Sequence, residues 1–188
     1  KYPNKTSLTG KVVTVISREQ IEQSGGKDLS QLLTEQSGVF IAGANSNAGK
    51  DKSLYLRGAR VEHTLITIDG VPVYDASGIG GNFDIRNLPL SAIERIEILK
   101  GSQSTLYGSD ALAGVINIIT RKNQSGKKAG LNLHLAGGTY GTFKGTAGLS
   151  GEISKFNYSV QYNRLQSDGF SSAHDASGQQ NFDKDGIK

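Results

Sequence analysis

From Leu131 onward the chain alternates. Leu131, Leu133 and Leu135 oppose Asn132, His134 and Ala136, and Phe143, Gly145, Ala147 and Leu149 oppose Thr142, Lys144, Thr146 and Gly148. In FNYSVQYNRL, Phe156, Tyr158, Val160 and Tyr162 oppose Asn157, Ser159, Gln161 and Asn163. A period of two places successive side chains on opposite faces, which makes each segment a strand with one dry and one wet side. Glycine-bearing turns are expected at Gly137 to Gly141 and Gly151 to Lys155, giving an antiparallel meander. Its dry side must meet a core of the same chain, a partner chain or lipid. Strands of about ten residues suit a tilted crossing of a bilayer, and they also suit a soluble sheet.

Several classes are excluded early. No apolar run approaches the roughly 18 to 20 residues of a spanning helix, which leaves a β-barrel open. The chain has no Cys, so disulfides, thiolate metal sites and thiol catalysis are unavailable. A hydrophobic fraction of 36% is low enough that something besides a large soluble core should cover the apolar surface. The 21 basic and 17 acidic residues are intermixed, a pattern of solvated surface that argues against a nucleic-acid binder. The start at Lys-Tyr-Pro has no Met and no apolar signal segment, so any export signal is expected to have been removed or left out, and compartment must be argued from elsewhere.

Upstream, short elements of both kinds are expected. Val12 to Ile16 reads as a strand, and Ser17-Arg18-Glu19-Gln20 as a capping box opening a helix that Gly25 and Gly26 end. Asp28 to Leu33 reads as a second helix stopped by Gly38, followed by a strand at Val39 to Ile41. AGANSNAGKDKS has no periodicity and reads as a loop. Leu54 to Leu56 and Thr64 to Tyr74 read as strands, the latter folded at Asp69-Gly70 with Pro72 in an edge arm. DASGIGGN is a second loop, Ser91-Ala92-Ile93-Glu94 suggests another capping box, Leu106 to Leu112 is ambiguous, and Val115 to Thr120 is a strand.

The segments LRG at Leu56 to Gly58, TLITIDGVPVY, and NLPLSAIERIEILKGSQSTLYGSDALAGVINIITRK closely resemble, in identity, order and spacing, the plug domain of TonB-dependent outer-membrane receptors. Within that family the loop lengths and the LYGSDALAGVINII wording are most similar to the cobalamin transporters, with ferric-siderophore receptors close behind. The resemblance implies an α+β plug domain over residues 1–122, then the first three strands of a 22-stranded transmembrane β-barrel over 123–188, truncated within an extracellular loop. It implies import of a large scarce nutrient across the Gram-negative outer membrane, driven by a TonB-type energy-coupling protein, with lipid around the barrel and no cofactor. Lys100 and Ser102 depart from the family's more usual Arg and Pro, and no coupling segment is evident before Val12.

By the same resemblance, the plug loops nominate Asn45, Ser46, Asn47, Lys50, Tyr74, Asp75, Ser77, Ile79 and Asn82 as substrate contacts. Arg57, Glu94, Arg95 and Glu97 are expected to pair with the barrel wall or with each other. Asp168, Asp175, Asp183 and Asp185 could begin a Ca2+ site, and FDKDG resembles half of an oxygen-ligand loop, although the glutamate that completes an EF-hand is missing. His63, His134 and His174 share no ligand spacing, and no nucleophile-and-base pattern is present, which argues against an enzyme. The alternative from another class is a soluble β-rich adhesion or ligand-binding module, whose strands would pack on its own α+β part.

Overall fold

The structure, a computed structural model, describes residues 12–47, 49–77, 81–121, 129–154 and 156–170. The chain forms two compact units, Lys1–Ala44 with Lys52–Arg121, and Asn45–Asp51 with Lys122–Lys188.

The first unit holds β1 (Val12–Ile16), α1 (Arg18–Glu22), α2 (Leu29–Thr34), β2 (Val39–Ala42), β3 (Ser53–Leu56), β4 (Thr64–Ile68), β5 (Val71–Pro72), β6 (Ile93–Lys100), α3 (Ser104–Tyr107) and β7 (Gly114–Thr120). Five strands form a sheet in the order β1-β6-β7-β4-β5, while β2 and β3 pair separately. Within the larger sheet β4 and β7 run parallel, and its other pairs are antiparallel.

Both early helices start as their sequences dictate. Ser17 and Asp28 accept from the backbone N–H of Gln20 and Gln31, whose side chains accept from the cap residues in return. Such reciprocal caps contribute about 1 kcal/mol each. The helices end earlier than their glycines suggest, at Glu22 and Thr34. At the first of these ends, Ser24 donates both its N–H and its hydroxyl to the Ile21 carbonyl, so the chain has left the helix before Gly25.

Ile16, Leu33, Leu56, Ile93, Ile96, Ile98, Ile116 and Ile118 form the centre of the main core. Each such side chain contributes about 1.5–3 kcal/mol by its burial. A register shift between Ile93 and Arg95 turns both Ile93 and Ile96 inward despite their odd spacing. On the opposite face Leu65, Ala111 and Val115 pack with Leu99.

The Asp69-Gly70 turn joins β4 to β5 with φ of 51° and 83°, the left-handed pair that a two-residue hairpin requires. Pro72 lies on β5 at the sheet edge, where its missing N–H costs nothing. The capping box expected at Ser91 is not formed. Leu90–Ala92 is a single 3-10 turn after Pro89, and Ile93 enters β6 directly because it pairs with Thr120. The ambiguous stretch before β7 resolves into α3 and a 3-10 turn at Ser109–Ala111.

The second unit is built on β8 (Gly130–Gly138), β9 (Thr142–Ile153) and β10 (Phe156–Gln166), an antiparallel sheet in the order β10-β9-β8. Two expected turns shrink, since Gly137 and Gly138 belong to β8 and Gly151 lies inside β9. Gly151 faces Tyr158 across the strands, and aromatic cover of this kind offsets the weakness of a strand glycine. The register stacks Leu131, Leu149 and Val160 in one row and Leu133, Ala147 and Tyr162 in the next.

Candidate functional site

The three-stranded sheet separates its chemistry by face. One face carries Leu131, Leu133, Leu135, Phe143, Leu149, Ile153, Phe156, Val160 and Tyr162, all between 44% and 77% exposed. The other carries Asn132, His134, Thr146, Ser150, Gln161 and Asn163, with Thr146 Oγ1 donating to Asn163 Oδ1 at 3.0 Å. Among the described residues of the second unit none covers the first face, which exposes more apolar surface than the scattered residues of ordinary surfaces. A polar lumen and an apolar exterior would produce this division.

The first candidate loop follows β2. Lys52, only 6% exposed, donates to the Gly43 carbonyl and closes the neck of the loop. Asn45 and Lys50 are exposed and Ser46 is half-buried, whereas Asn47 is buried. Asn47 Nδ2 donates to the Phe170 carbonyl at 2.7 Å, and the Phe170 N–H donates back to Asn47 Oδ1 at 3.3 Å. Nothing in the loop's composition distinguishes this asparagine from Asn45.

The second candidate loop follows β5. The Asp75 N–H donates to the Gly81 carbonyl at 3.2 Å, and the Asp75 carboxylate accepts from Ser77 N and Ser77 Oγ at 2.8 and 2.6 Å. Tyr74 donates its hydroxyl to Asp110 Oδ2 at 3.3 Å, and its ring lies beside Gly81. Burial first, then the Asp110 charge and this hydrogen bond, push the Tyr74 phenol above its ordinary value. Beneath them is a cavity of about 180 Å³ bordered by Thr64, Tyr74, Asn82 and Asp110. Thr64 Oγ1 is buried without a hydrogen-bond partner. Ile79 lies outside the described residues. Asn45, Ser46, Asn47 and Lys50 belong to the second unit, and Tyr74, Asp75, Ser77 and Asn82 to the first.

Among the charged residues singled out earlier, Arg95 Nε donates to Glu97 Oε1 at 2.8 Å. Glu97 Oε2 accepts from Asn117 Nδ2 at 3.0 Å, and Asn117 Oδ1 accepts from the fully buried Thr67 hydroxyl at 2.7 Å. A polar chain therefore crosses β4, β7 and β6. Thr67 and Asn117 were missed from sequence, where the only sign of them is one amide within the β-branched GVINIIT. Arg57 is exposed at a left-handed φ of 54°, its side chain lying beside Gly38 and Gly101, while Glu94 is half-buried at the bulge.

Among the described residues, no group of three His, Asp or Glu side chains could hold a metal ion. Asp168 is tied to the β8–β9 turn, its N–H donating to the Tyr140 carbonyl at 2.8 Å and its carboxylate lying over Gly141. Asp175, Asp183 and Asp185 lie outside the described residues.

Residues 5–115 match the family model described as the TonB-dependent Receptor Plug Domain. Among solved structures, a ferric enterobactin receptor variant, PfeA from Pseudomonas aeruginosa in complex with enterobactin, matches at 28% identity and a TM-score of 0.64, over 84% of this chain and 25% of that one. The siderophore receptor PirA from Acinetobacter baumannii matches at 28% identity and 0.63, over 84% and 25%. The ferric yersiniabactin uptake receptor FyuA from Yersinia pestis shares the fold at 24% identity and 0.61, over 86% and 24%. The chain thus spans about a quarter of the length of the structures it matches. Its α+β unit with the three antiparallel strands after it is the architecture of these receptors, with the barrel unclosed. The chain belongs to the TonB-dependent receptor plug domain family.

Proposed function

We propose that this chain is the plug and the first three barrel strands of an outer-membrane receptor that imports a ferric siderophore. Residues 1–122 gate the barrel and 123–188 begin its wall, with the uncovered face of β8, β9 and β10 against lipid. The reading rests above all on the likeness to siderophore receptors, held over 84% of the chain at 28% identity. The loop lengths and the LYGSDALAGVINII segment had favoured cobalamin, and cobalamin becomes the second reading.

The receptor works in the outer membrane of a Gram-negative cell as a transporter rather than an enzyme, and needs no cofactor. On this reading the first loop offers Asn45, Ser46 and Lys50, and the second offers Tyr74, Asp75, Ser77, Ile79 and Asn82, as contacts to the ligand, through mostly polar side chains and closely approaching backbone. Arg57, Glu94, Arg95 and Glu97 meet the barrel wall, where part-exposed ion pairs worth about 0–1 kcal/mol can hold the plug and still release under pulling by a TonB-type protein.

Titration of the complete receptor with ferric enterobactin and with cyanocobalamin separates the two ligands. Saturable micromolar binding of the ferric catecholate without cobalamin binding supports the reading. Cobalamin binding without siderophore binding reverses it.

A further inference from the structure

We propose that Asn47 is a positioning residue: its side-chain amide ties the first candidate loop to the backbone of Phe170, so that Asn45 and Lys50 face outward on a fixed support. This rests on the reading of that loop as a ligand contact.

The geometry is a reciprocal pair. Nδ2–H donates to the carbonyl of Phe170 at 2.7 Å and Oδ1 accepts the N–H of the same residue at 3.3 Å, so the side chain does what a neighbouring strand would do. A carboxamide carries a donor and an acceptor side by side, and an aspartate of the same shape would turn an acceptor toward an acceptor. The Asn47 side of the pair is buried, at 8% exposed, while Phe170 is 38% exposed, so the pair is partly shielded from water. Within the loop Asn45, Gly49 and Lys50 are exposed and Ser46 is half-buried, whereas Asn47 is drawn in.

Phe170 is itself held. Its ring meets Tyr140 at 5.3 Å. The Asp168 N–H donates to the Tyr140 carbonyl at 2.8 Å, and Ser167 Oγ lies 2.9 Å from Thr142 Oγ1 while accepting the Gly169 N–H at 3.2 Å. Gly141 sits at φ +61° with the Asp168 carboxylate 2.5 Å from where a Cβ would be, so a side chain there would strain the turn and displace that carboxylate. Asn47 thus binds to the segment after β10, which is already fixed on the β8–β9 turn. Substitution of Asn47 should act through the backbone rather than through the ligand.

The test uses the complete receptor in detergent with three variants, Asn47→Asp, Asn47→Gln and Lys50→Ala, reading hydrogen exchange of the amides at 45–51 and 167–170 and affinity for ferric enterobactin. Asn47→Asp keeps an acceptor for the Phe170 N–H but sets a carboxylate oxygen against the Phe170 carbonyl, and this repulsion is expected to part the two, speed exchange at Phe170 at least tenfold and weaken binding several-fold. Asn47→Gln, bulkier but still carrying donor and acceptor, should remain closer to wild type, the reverse of what a space-filling role predicts. Lys50→Ala should weaken binding with exchange at Phe170 unchanged. Exchange at Phe170 that is the same in Asn47→Asp and wild type overturns the proposal. Faster exchange in Asn47→Asp, with ferric enterobactin binding unaltered there and in Lys50→Ala, keeps the tie and removes the ligand reading from the loop.

Discussion

Thr67 is wholly buried and donates its hydroxyl to Asn117 Oδ1 at 2.7 Å. That bond fixes the Asn117 amide so that Nδ2 points at Glu97 Oε2, 3.0 Å away, and Glu97 in turn holds Arg95. An exposed charge pair on β6 is therefore oriented from the interior of the sheet, across two strand boundaries.

Replacing Asn117 alone leaves the Thr67 hydroxyl buried and unpaired. Asn117→Val is expected to destabilise the plug by about 1–3 kcal/mol, while Asn117→Val combined with Thr67→Val should recover much of that loss, because a buried pair removed together leaves no orphan. Hydrogen exchange of the β7 amides in the complete receptor reads both. A double variant as unstable as the sum of the singles would deny the coupling.

Gly114 starts β7 where no side chain fits. A Cβ there would lie 2.2 Å from the Leu99 carbonyl oxygen and 2.5 Å from Leu56 Cδ2. Gly114→Ala must part β6 from β7 or displace a buried leucine, with an expected cost of about 2 kcal/mol or more. Faster exchange across Leu99–Ile116 is the readout, with Gly137→Ala, where a Cβ meets open space, as the comparison.

Much of this architecture is legible locally. Asp69-Gly70 announces its hairpin because the left-handed pair is written in two adjacent residues, and the boxes at Ser17 and Asp28 because cap and partner are three apart. What sequence could not supply is set by distant neighbours. Ser91-Ala92-Ile93-Glu94 has a capping box's pattern, yet the pairing of Ile93 with Thr120 prevails. Asn45 and Asn47 are indistinguishable until Phe170, more than a hundred positions on, selects one of them. Gly114 reads as one of 25 glycines until Leu99 and Leu56 surround it.

Tyr74 supplies a pH dependence in the alkaline range. Its folded-state value lies above the ordinary 10.0, chiefly through burial and then through Asp110, so the neutral phenol favours the folded loop. The contribution is intact below pH 10.0, where both states are neutral, and is lost as pH climbs through the raised folded value. A tyrosinate absorbance titration of wild type against Tyr74→Phe isolates the group. Asp110→Asn should make it ionise earlier, and an unchanged titration would remove Asp110 as a cause.

The two faces of β10 should respond oppositely to charge. Val160→Lys introduces an ammonium on the apolar face and is expected to cost about 2–4 kcal/mol in the membrane-inserted receptor. Gln161→Lys, one residue on, faces the polar side and should be tolerated. Yield of folded receptor recovered from outer membranes, followed by refolding into vesicles, reads the difference.

The three-stranded sheet is assigned to lipid, and these 188 residues have no Cys, so each position in them can be probed singly once any cysteine elsewhere in the receptor has been replaced. Single cysteines at positions 131 to 135 and 158 to 163 of the complete receptor, carrying a fluorophore, can be quenched by lipids spin-labelled along their acyl chains. The account predicts an alternation, with strong quenching at Leu131, Leu133, Leu135, Tyr158, Val160 and Tyr162 and little at Asn132, His134, Ser159, Gln161 and Asn163. Uniform quenching, or quenching strongest at Gln161 and Asn132, would contradict it.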